Sequence, residues 1–114
     1  MRAAGGRRYS RRIVSFSEQT GVLVCAGDED RTTSARRRRA LSRSLTAETD
    51  VRVDLSGLVF ADASLMVDLA MVARRLRKAG RRLRLQGPQP QIRKLIEIVG
   101  LDRLAGVSLE PLPA

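Results

Sequence analysis

The residues best suited to chemistry in this chain are Asp62 and Ser64, which stand in the segment Asp62-Ala63-Ser64. Residues Val51 to Leu55 have the pattern of a buried strand, a short loop follows, and an apolar helix begins at about Ala63. Ser64 therefore falls in the first helical turn, where unpaired N–H groups and the positive end of the helix dipole favour a phosphate. Two interpretations stay open here: a phosphorylation site, or a segment that only caps the helix.

The residue types of the whole chain argue against an enzyme. The sequence has no histidine, which is the commonest general base and a frequent metal ligand, and it has one cysteine, Cys25. It contains no GxxxxGK[ST] loop, no GxSxG elbow and no cysteine cluster. Asp62 and Ser64 without a partnering base make a poor nucleophile. We therefore predict no catalytic residue, no metal site and no cofactor.

Length and composition indicate one globular domain of 114 residues. Hydrophobic residues make up 43% and aromatic residues 3%, so the core is expected to consist of aliphatic side chains. No run approaches the roughly 20 apolar residues of a transmembrane helix, and the N-terminus has no apolar segment of a secretory signal. Cys25 lies in an apolar strand pattern and is expected to be a buried, inert thiol. These features predict a cytoplasmic protein.

The net charge of +10 comes mainly from arginine, since only Lys78 and Lys94 are lysines. Residues 1–12 carry five arginines and no acid, and we predict a disordered tail there. Such a tail, together with the run Arg36 to Arg39, is able to contact phosphate backbones or anionic lipid, but it is equally consistent with solvated surface. No zinc spacing, aromatic RNA-binding motif or basic zipper accompanies it, so specific nucleic-acid binding is not expected.

Alternating strand and helix patterns predict an α/β fold. Two short apolar runs around a glycine-containing turn indicate an N-terminal hairpin, and later strands alternate with helical patterns, which requires parallel crossovers. We expect a mostly parallel central sheet of four to five strands with three or more helices. The predicted strands are Ile13–Phe16, Val22–Ala26, Val51–Leu55, Leu83–Gln86 and Val107–Leu109, and the predicted helices are about 34–45, 63–79 and 92–99.

Two loops are expected to meet at the carboxyl edge of this sheet, Gly27–Asp30 and Leu58–Ser64. If they do, the acidic residues Asp28 and Asp30 lie near Ser64 and oppose a phosphate there. The helix before the third strand has a thin apolar stripe, because Arg37 and Arg38 occupy the turn before Leu41. Either their stems lie along the core edge with the guanidinium groups in water, or this helix packs loosely.

The helix after Ser64 is apolar on two sides. One stripe is expected to face the core, and its members are Met66, Leu69, Ala70, Ala73 and Leu76. The other stripe starts at Ser64 and includes Val67, Asp68 and Met71. An exposed apolar patch beside a modifiable hydroxyl suits a protein interface, in which added charge opposes binding. The alternative is that another helix or the tail covers these residues.

Three segments, taken in order, resemble the STAS domain, the fold of anti-sigma-factor antagonists. Gly27-Asp28-Glu29-Asp30 resembles the family's G-E-L/I-D segment, and residues Val53 to Ser64 resemble D-L-S-x-(V/L)-x-F-(I/M/L)-D-S-S/T. Arg81 to Pro88 with the helix Ile92–Leu101 resembles the closing G-(x)-L-x-L-x-G-P…L-x-x-x-G-L. The resemblance covers residues 13 to 110 and leaves the tails 1–12 and 111–114 outside the domain.

The resemblance implies a bacterial regulator of transcription that works by partner switching. Ser64 corresponds to the phosphoacceptor, with Asp62 and Asp30 as acidic neighbours. The implied partners are a kinase-type anti-sigma factor, which the unphosphorylated protein binds so that sigma factor is released, and a phosphatase that resets the cycle. Monomer and homodimer both stay open.

Two positions depart from the family pattern. Ala63 stands where the family usually has serine or threonine, and Leu65 where it usually has glycine. We expect Leu65 to belong to the partner interface with Val67, Asp68 and Met71. Two alternatives remain: a constitutive STAS subunit of a regulatory or transporter-associated complex without phosphorylation, and binding of nucleic acid or anionic membrane through the arginine-rich tail.

Overall fold

The structure, a computed structural model, describes residues 13–113 of the chain. The arginine-rich tail at residues 1–12, for which disorder was predicted, lies outside the described residues. Within them, the chain forms six strands and three α-helices. The strands are β1 (Ile13–Ser17), β2 (Val22–Glu29), β3 (Val51–Asp54), β4 (Leu58–Ala61), β5 (Leu83–Gln86) and β6 (Val107–Glu110). The helices are α1 (Ser34–Ser44), α2 (Ala63–Lys78) and α3 (Pro90–Val99).

The sheet has the strand order β1-β2-β3-β5-β6, and β4 pairs separately with β2. The hairpin partner β1 runs antiparallel to β2, whereas all other pairs are parallel. Parallel neighbours need a crossover connection: α1 lies between β2 and β3, α2 lies between β3 with β4 and the next strand β5, and α3 lies between β5 and β6. This arrangement confirms the predicted α/β class, the hairpin and the three helices, with one strand more than the four to five expected.

Strand β2 carries two parallel partners in succession. Its first half pairs with β3, from Val22 opposite Arg52 to Val24 opposite Asp54. Its second half pairs with β4, and the register shifts between Gly27 and Asp28. The predicted loops Gly27–Asp30 and Leu58–Ser64 are therefore mostly strand. The sequence pattern did not indicate this because β4 is only four residues long and buries its two ends, so it lacks the alternation of a half-buried strand.

Aliphatic side chains from the sheet and the helices fill the core, as the composition predicted. Helix α2 buries Met66, Leu69, Ala73 and Leu76, while Ala70 of the predicted core stripe is only half-buried. Helix α3 buries Ile92 and Ile96, whereas Val99 in its last turn is 42% exposed. Gly100, at φ 79°, ends α3 in the left-handed conformation that glycine adopts without strain.

Cys25 lies in this core with no exposed surface, which agrees with the predicted buried thiol. Burial, assisted by the Glu29 carboxylate, raises the pKa of the Cys25 thiol to about 12. Since the thiolate is the reactive form, this cysteine is inert at neutral pH. Among the described helices, none has the length and hydropathy to cross a membrane.

Candidate functional site

Three short segments at the carboxyl edge of the sheet share one local geometry. In each, an aspartate carboxylate accepts hydrogen bonds from both the backbone N–H and the side-chain hydroxyl two residues later. The pairs are Asp30 with Thr32, Asp54 with Ser56, and Asp62 with Ser64. Aspartate favours this turn because its short side chain reaches the backbone two residues ahead. The motif alone therefore does not set Ser64 apart.

Asp62 is the N-cap of α2 and holds Ser64 in the first helical turn. Its Oδ1 accepts the Ser64 N–H at 2.9 Å and the Ser64 hydroxyl at 2.5 Å, and its Oδ2 accepts the backbone N–H of Arg31 at 3.2 Å. The Ser64 hydroxyl, followed by these N–H groups, lowers the pKa of the Asp62 carboxyl. Asp62 is thus an ionised acceptor that orients the Ser64 hydroxyl.

The Ser64 hydroxyl also accepts a hydrogen bond from a buried arginine. Arg37 of α1 is 1% exposed, and its Nη2 lies 3.1 Å from Ser64 Oγ. Its Nε donates to Asp68 Oδ2 of α2 at 2.8 Å, and its Nη1 donates to Glu29 Oε1 of β2 at 3.2 Å. The same Nη1 donates to the backbone carbonyl of Asp30 at 2.9 Å. Arg37 therefore connects its own helix α1 to strand β2 and helix α2 around the serine.

Glu29 is the buried counter-charge of Arg37, and only 2% of its surface is exposed. The hydroxyl of Thr33 donates to its Oε1 at 3.1 Å, beside the Arg37 bond. Burial raises the pKa of the Glu29 carboxyl above its ordinary value, and the hydrogen bonds from Thr33 and Arg37 act in the opposite direction. A carboxyl and a guanidinium can be buried together because each compensates the charge of the other and pairs its hydrogen-bonding groups.

Neither Glu29 nor Arg37 was predicted to belong to the site. The expectation that the Arg37 guanidinium lies in water is wrong, because this side chain is 1% exposed, whereas Arg38 is exposed. The helix does not pack loosely either, since Ala40 and Leu41 are buried. Two patterns in the sequence point to this placement. Arg37 stands one helical turn after Thr33 and one before Leu41, on the buried face of α1, and Glu29 continues the alternation of Leu23 and Cys25. Charge alone made both residues look exposed.

The predicted acidic neighbours take different places. Asp62 contacts Ser64 directly, as described above. Asp30 caps the 3₁₀ turn Arg31–Thr33 with its carboxylate and contacts Arg37 through its carbonyl. Asp28 lies opposite Phe60 of β4 and is exposed. The two loops expected to converge do meet, since the Asp62 N–H donates to the Glu29 carbonyl at 3.1 Å.

The predicted partner interface is exposed in part. Val67 and Met71 are 57% and 55% exposed, and the Asp68 side chain between them is 31% exposed while bonded to Arg37. Leu65 has no exposed surface, so the prediction that it contacts a partner is wrong. Its position, about 100° around the helix from Ser64, turns it toward the sheet. An apolar groove of about 170 Å³ continues from Ala63 and Val67 toward Val99 and Leu104.

Comparisons with known proteins agree with this fold. A model of the family described as "Mlab, STAS domain" matches residues 13–110. Among solved structures, a crystal structure of a Thermotoga maritima protein assigned as an anti-sigma factor antagonist superposes with a TM-score of 0.66. The two sequences are 12% identical, and the match covers 86% of this chain and 84% of that chain. At this identity the likeness concerns the fold. Comparison with curated protein sequences finds no match.

Proposed function

Because the chain belongs to the STAS domain family, we propose that it is an anti-sigma-factor antagonist switched by phosphorylation at Ser64. In the unmodified state it binds a kinase-type anti-sigma factor through the surface around Ser64, Val67 and Met71, and sigma factor is released. The observation that carries the proposal is the Ser64 hydroxyl, held between Asp62 and Arg37 and next to two exposed apolar side chains. The protein itself is a binding module of the bacterial cytoplasm.

Phosphorylation changes charge at this surface without requiring the domain to refold. Ser64 Oγ forms a bond to the γ-phosphorus of ATP, the bond from that phosphorus to ADP breaks, and the hydroxyl proton passes to a base of the kinase. The product carries about −1.5 to −2 charges. A charge that the partner's surface desolvates and does not pair costs several kcal/mol, and each 1.4 kcal/mol is tenfold in affinity. One modification is therefore sufficient to abolish a micromolar complex.

The first experiment tests the modification itself. Incubation with the cognate kinase and ATP is expected to add a single phosphoryl mass to the wild-type protein and none to Ser64→Ala. Ser56→Ala is the matched control, because Ser56 makes the same two bonds to Asp54 but is exposed and contacts no buried arginine among residues 13–113. It should be modified like the wild type. If the wild-type protein stays unmodified under conditions that phosphorylate a known substrate, the mechanism is refuted.

The second experiment tests the switch. Ser64→Asp should weaken binding of the anti-sigma factor far more than Ser64→Ala, because only the former places negative charge at the interface. Ser56→Asp should bind like the wild type. Equal affinities of Ser64→Asp and Ser64→Ala would contradict an electrostatic switch. A phosphatase should restore binding of the modified protein.

Two observations favour a second candidate function, a constitutive STAS subunit of a regulatory or transporter-associated complex. The Ser64 hydroxyl already links Asp62 to Arg37, as a purely structural serine would. The matching family model also bears the name of Mlab rather than of an antagonist. Co-purification of a partner complex that is unaffected by Ser64→Asp would favour this candidate over the switch.

A further inference from the structure

We propose that the Arg37 guanidinium binds the oxygens of a phosphoryl group carried by Ser64. Arg37 is a positioning residue, buried in the core next to the acceptor serine. This inference rests on the proposed phosphorylation of Ser64 and names the group that compensates the negative charge of the phosphate. Of the three hydroxyls that share the Asp-x-Ser/Thr geometry, Ser64 is the one that a buried guanidinium contacts within the described residues.

The guanidinium has the capacity to bind a further oxygen. Arginine carries five N–H donors in a planar fork and stays charged at any relevant pH. In Arg37, Nε donates to Asp68, and Nη1 donates to Glu29, to the Asp30 carbonyl and to the Thr33 hydroxyl. Nη2 has two N–H groups, and its one hydrogen bond in the described part of the chain goes to Ser64 Oγ at 3.1 Å. The second N–H can therefore bind a phosphoryl oxygen without breaking a bond.

The other charges around Ser64 make this cation necessary. A phosphoryl group replaces the hydroxyl hydrogen, so the bond to Asp62 is lost and two negative groups face each other. Asp68 and Glu29 add two more carboxylates that bind the same guanidinium, at 2.8 and 3.2 Å from it, and Asp68 lies one turn after Ser64 in α2. The N–H groups of the first turn of α2 and the Arg37 guanidinium are positive groups next to Ser64, and the charge of the exposed Arg31 acts on the neighbouring Asp62 as well. Arginine is suited to this task because its fork matches phosphate oxygens.

A merely structural role for Arg37 predicts something different. If the arginine served only to neutralise Glu29, its removal would lower stability but leave the ionisation of a phosphate on Ser64 unchanged. The second ionisation of a phosphoserine has a pKa near 6, in a range where the charge on a nearby residue is measurable. This ionisation therefore separates the two roles.

The experiment uses the full chain with phosphoserine incorporated at position 64 during translation, so that no kinase is needed. The ³¹P resonance is followed through a pH titration in the wild type, in Arg37→Gln and in Arg38→Gln, the exposed neighbour. We expect the phosphoserine pKa to rise by about one unit in Arg37→Gln, as for loss of an opposite charge within 4–6 Å, and to stay unchanged in Arg38→Gln. The same pKa with and without Arg37 would overturn the proposal.

Two further comparisons keep the test decisive. If Arg37→Gln does not fold, the double variant Arg37→Gln/Glu29→Gln is titrated against Glu29→Gln alone, so that the two proteins differ only in the Arg37 charge, and the same rise in the phosphoserine pKa is expected. Phosphoserine at position 56, which no buried guanidinium of the described residues contacts, provides a second reference: its pKa should not change in Arg37→Gln, and a rise there as large as at position 64 would also overturn the proposal. Because the phosphate is installed directly, a failure of the kinase reaction would refute the proposed function and leave this result standing.

Discussion

Ser56 and Ser64 make the same pair of hydrogen bonds to an aspartate two residues earlier, yet their surroundings differ. Ser56 lies in a turn and is exposed, whereas Ser64 begins a helix and touches a buried arginine. A local motif thus produces a turn in one place and a candidate switch in another. The difference comes from a residue 27 positions away in the chain.

Removal of Arg37 should be costly because it leaves Glu29 buried without its counter-charge. We expect Arg37→Ala to lower the free energy of unfolding by about 3–5 kcal/mol, the usual cost of breaking a buried ion pair from one side. Urea unfolding followed by circular dichroism measures this. The control, Arg38→Ala, removes an exposed arginine from the next position and should change stability by less than about 0.5 kcal/mol. Similar losses in both variants would contradict the buried network.

Asp62 contributes to stability as a helix cap. Asp62→Ala should cost about 0.5–2 kcal/mol, because the Ser64 N–H loses its acceptor at the start of α2. Asp62→Asn keeps an oxygen at the same place and should cost much less. Thermal or urea unfolding of the two variants side by side checks the difference, and equal losses would show that charge rather than capping matters at this position.

At the scale of elements, β4 is the strand that sequence patterns did not predict and on which the site depends. It is short, it lies off the main path of the sheet, and it exposes Val59 and Phe60 between two buried ends. Its parallel ladder with the end of β2 places Ala61 opposite Glu29. The acceptor serine and the buried glutamate are thereby positioned by one strand pair.

The two faces of β4 should respond differently to truncation. Leu58→Ala removes a side chain with no exposed surface and should lower the free energy of unfolding by about 2–5 kcal/mol. Val59→Ala, the adjacent position, is 56% exposed in the wild type and should cost less than about 1 kcal/mol. Chemical denaturation of both variants measures this contrast. A larger loss for Val59→Ala would mean that the strand is turned the other way.

The ion pair between β5 and β6 predicts a specific dependence of stability on pH. Arg84 donates to both carboxylate oxygens of Glu110 at 3.0 Å and, with Ser108 and Gln86, lowers the Glu110 pKa from 4.5 to about 2. A carboxyl with a depressed folded-state pKa stabilises the fold above its unfolded-state value, and this contribution is lost as pH falls from about 4.5 to about 2. Its exposure to solvent keeps the contribution modest.

Glu110→Gln should therefore show a weaker loss of stability between these two pH values than the wild type. Melting temperatures measured across this range provide the comparison. Glu97→Gln removes a carboxylate from an exposed pair with Arg93 and controls for the change in net charge. An unchanged pH dependence in Glu110→Gln would contradict the lowered pKa.

At the scale of the whole molecule, the alternation of elements was predictable and the interior of the site was not. Periodic apolar residues are a property of single segments, so the hairpin, the three helices and most parallel strands follow from them. Glu29, Arg37 and Leu65 were misplaced for the opposite reason. Their burial depends on which side chains from distant segments surround them, and charge or chain proximity to Ser64 gave the wrong expectation. The site residues that contact one another through local geometry, Asp62 and Ser64, were predicted together.

The bonds around Ser64 also bear on how another protein would recognise this hydroxyl. Arg37 and Ser64 are 27 positions apart, and Arg31 and Asp62 are 31 apart, so a short peptide containing residues 54–70 has neither contact. In that peptide, Ser56 and Ser64 are equivalent, each two residues after an aspartate. A kinase that recognised only the aspartate two residues earlier would not distinguish them, and the arginine contact that sets Ser64 apart exists only in the folded domain. Under the proposed switch, a kinase that recognises this contact modifies folded molecules alone.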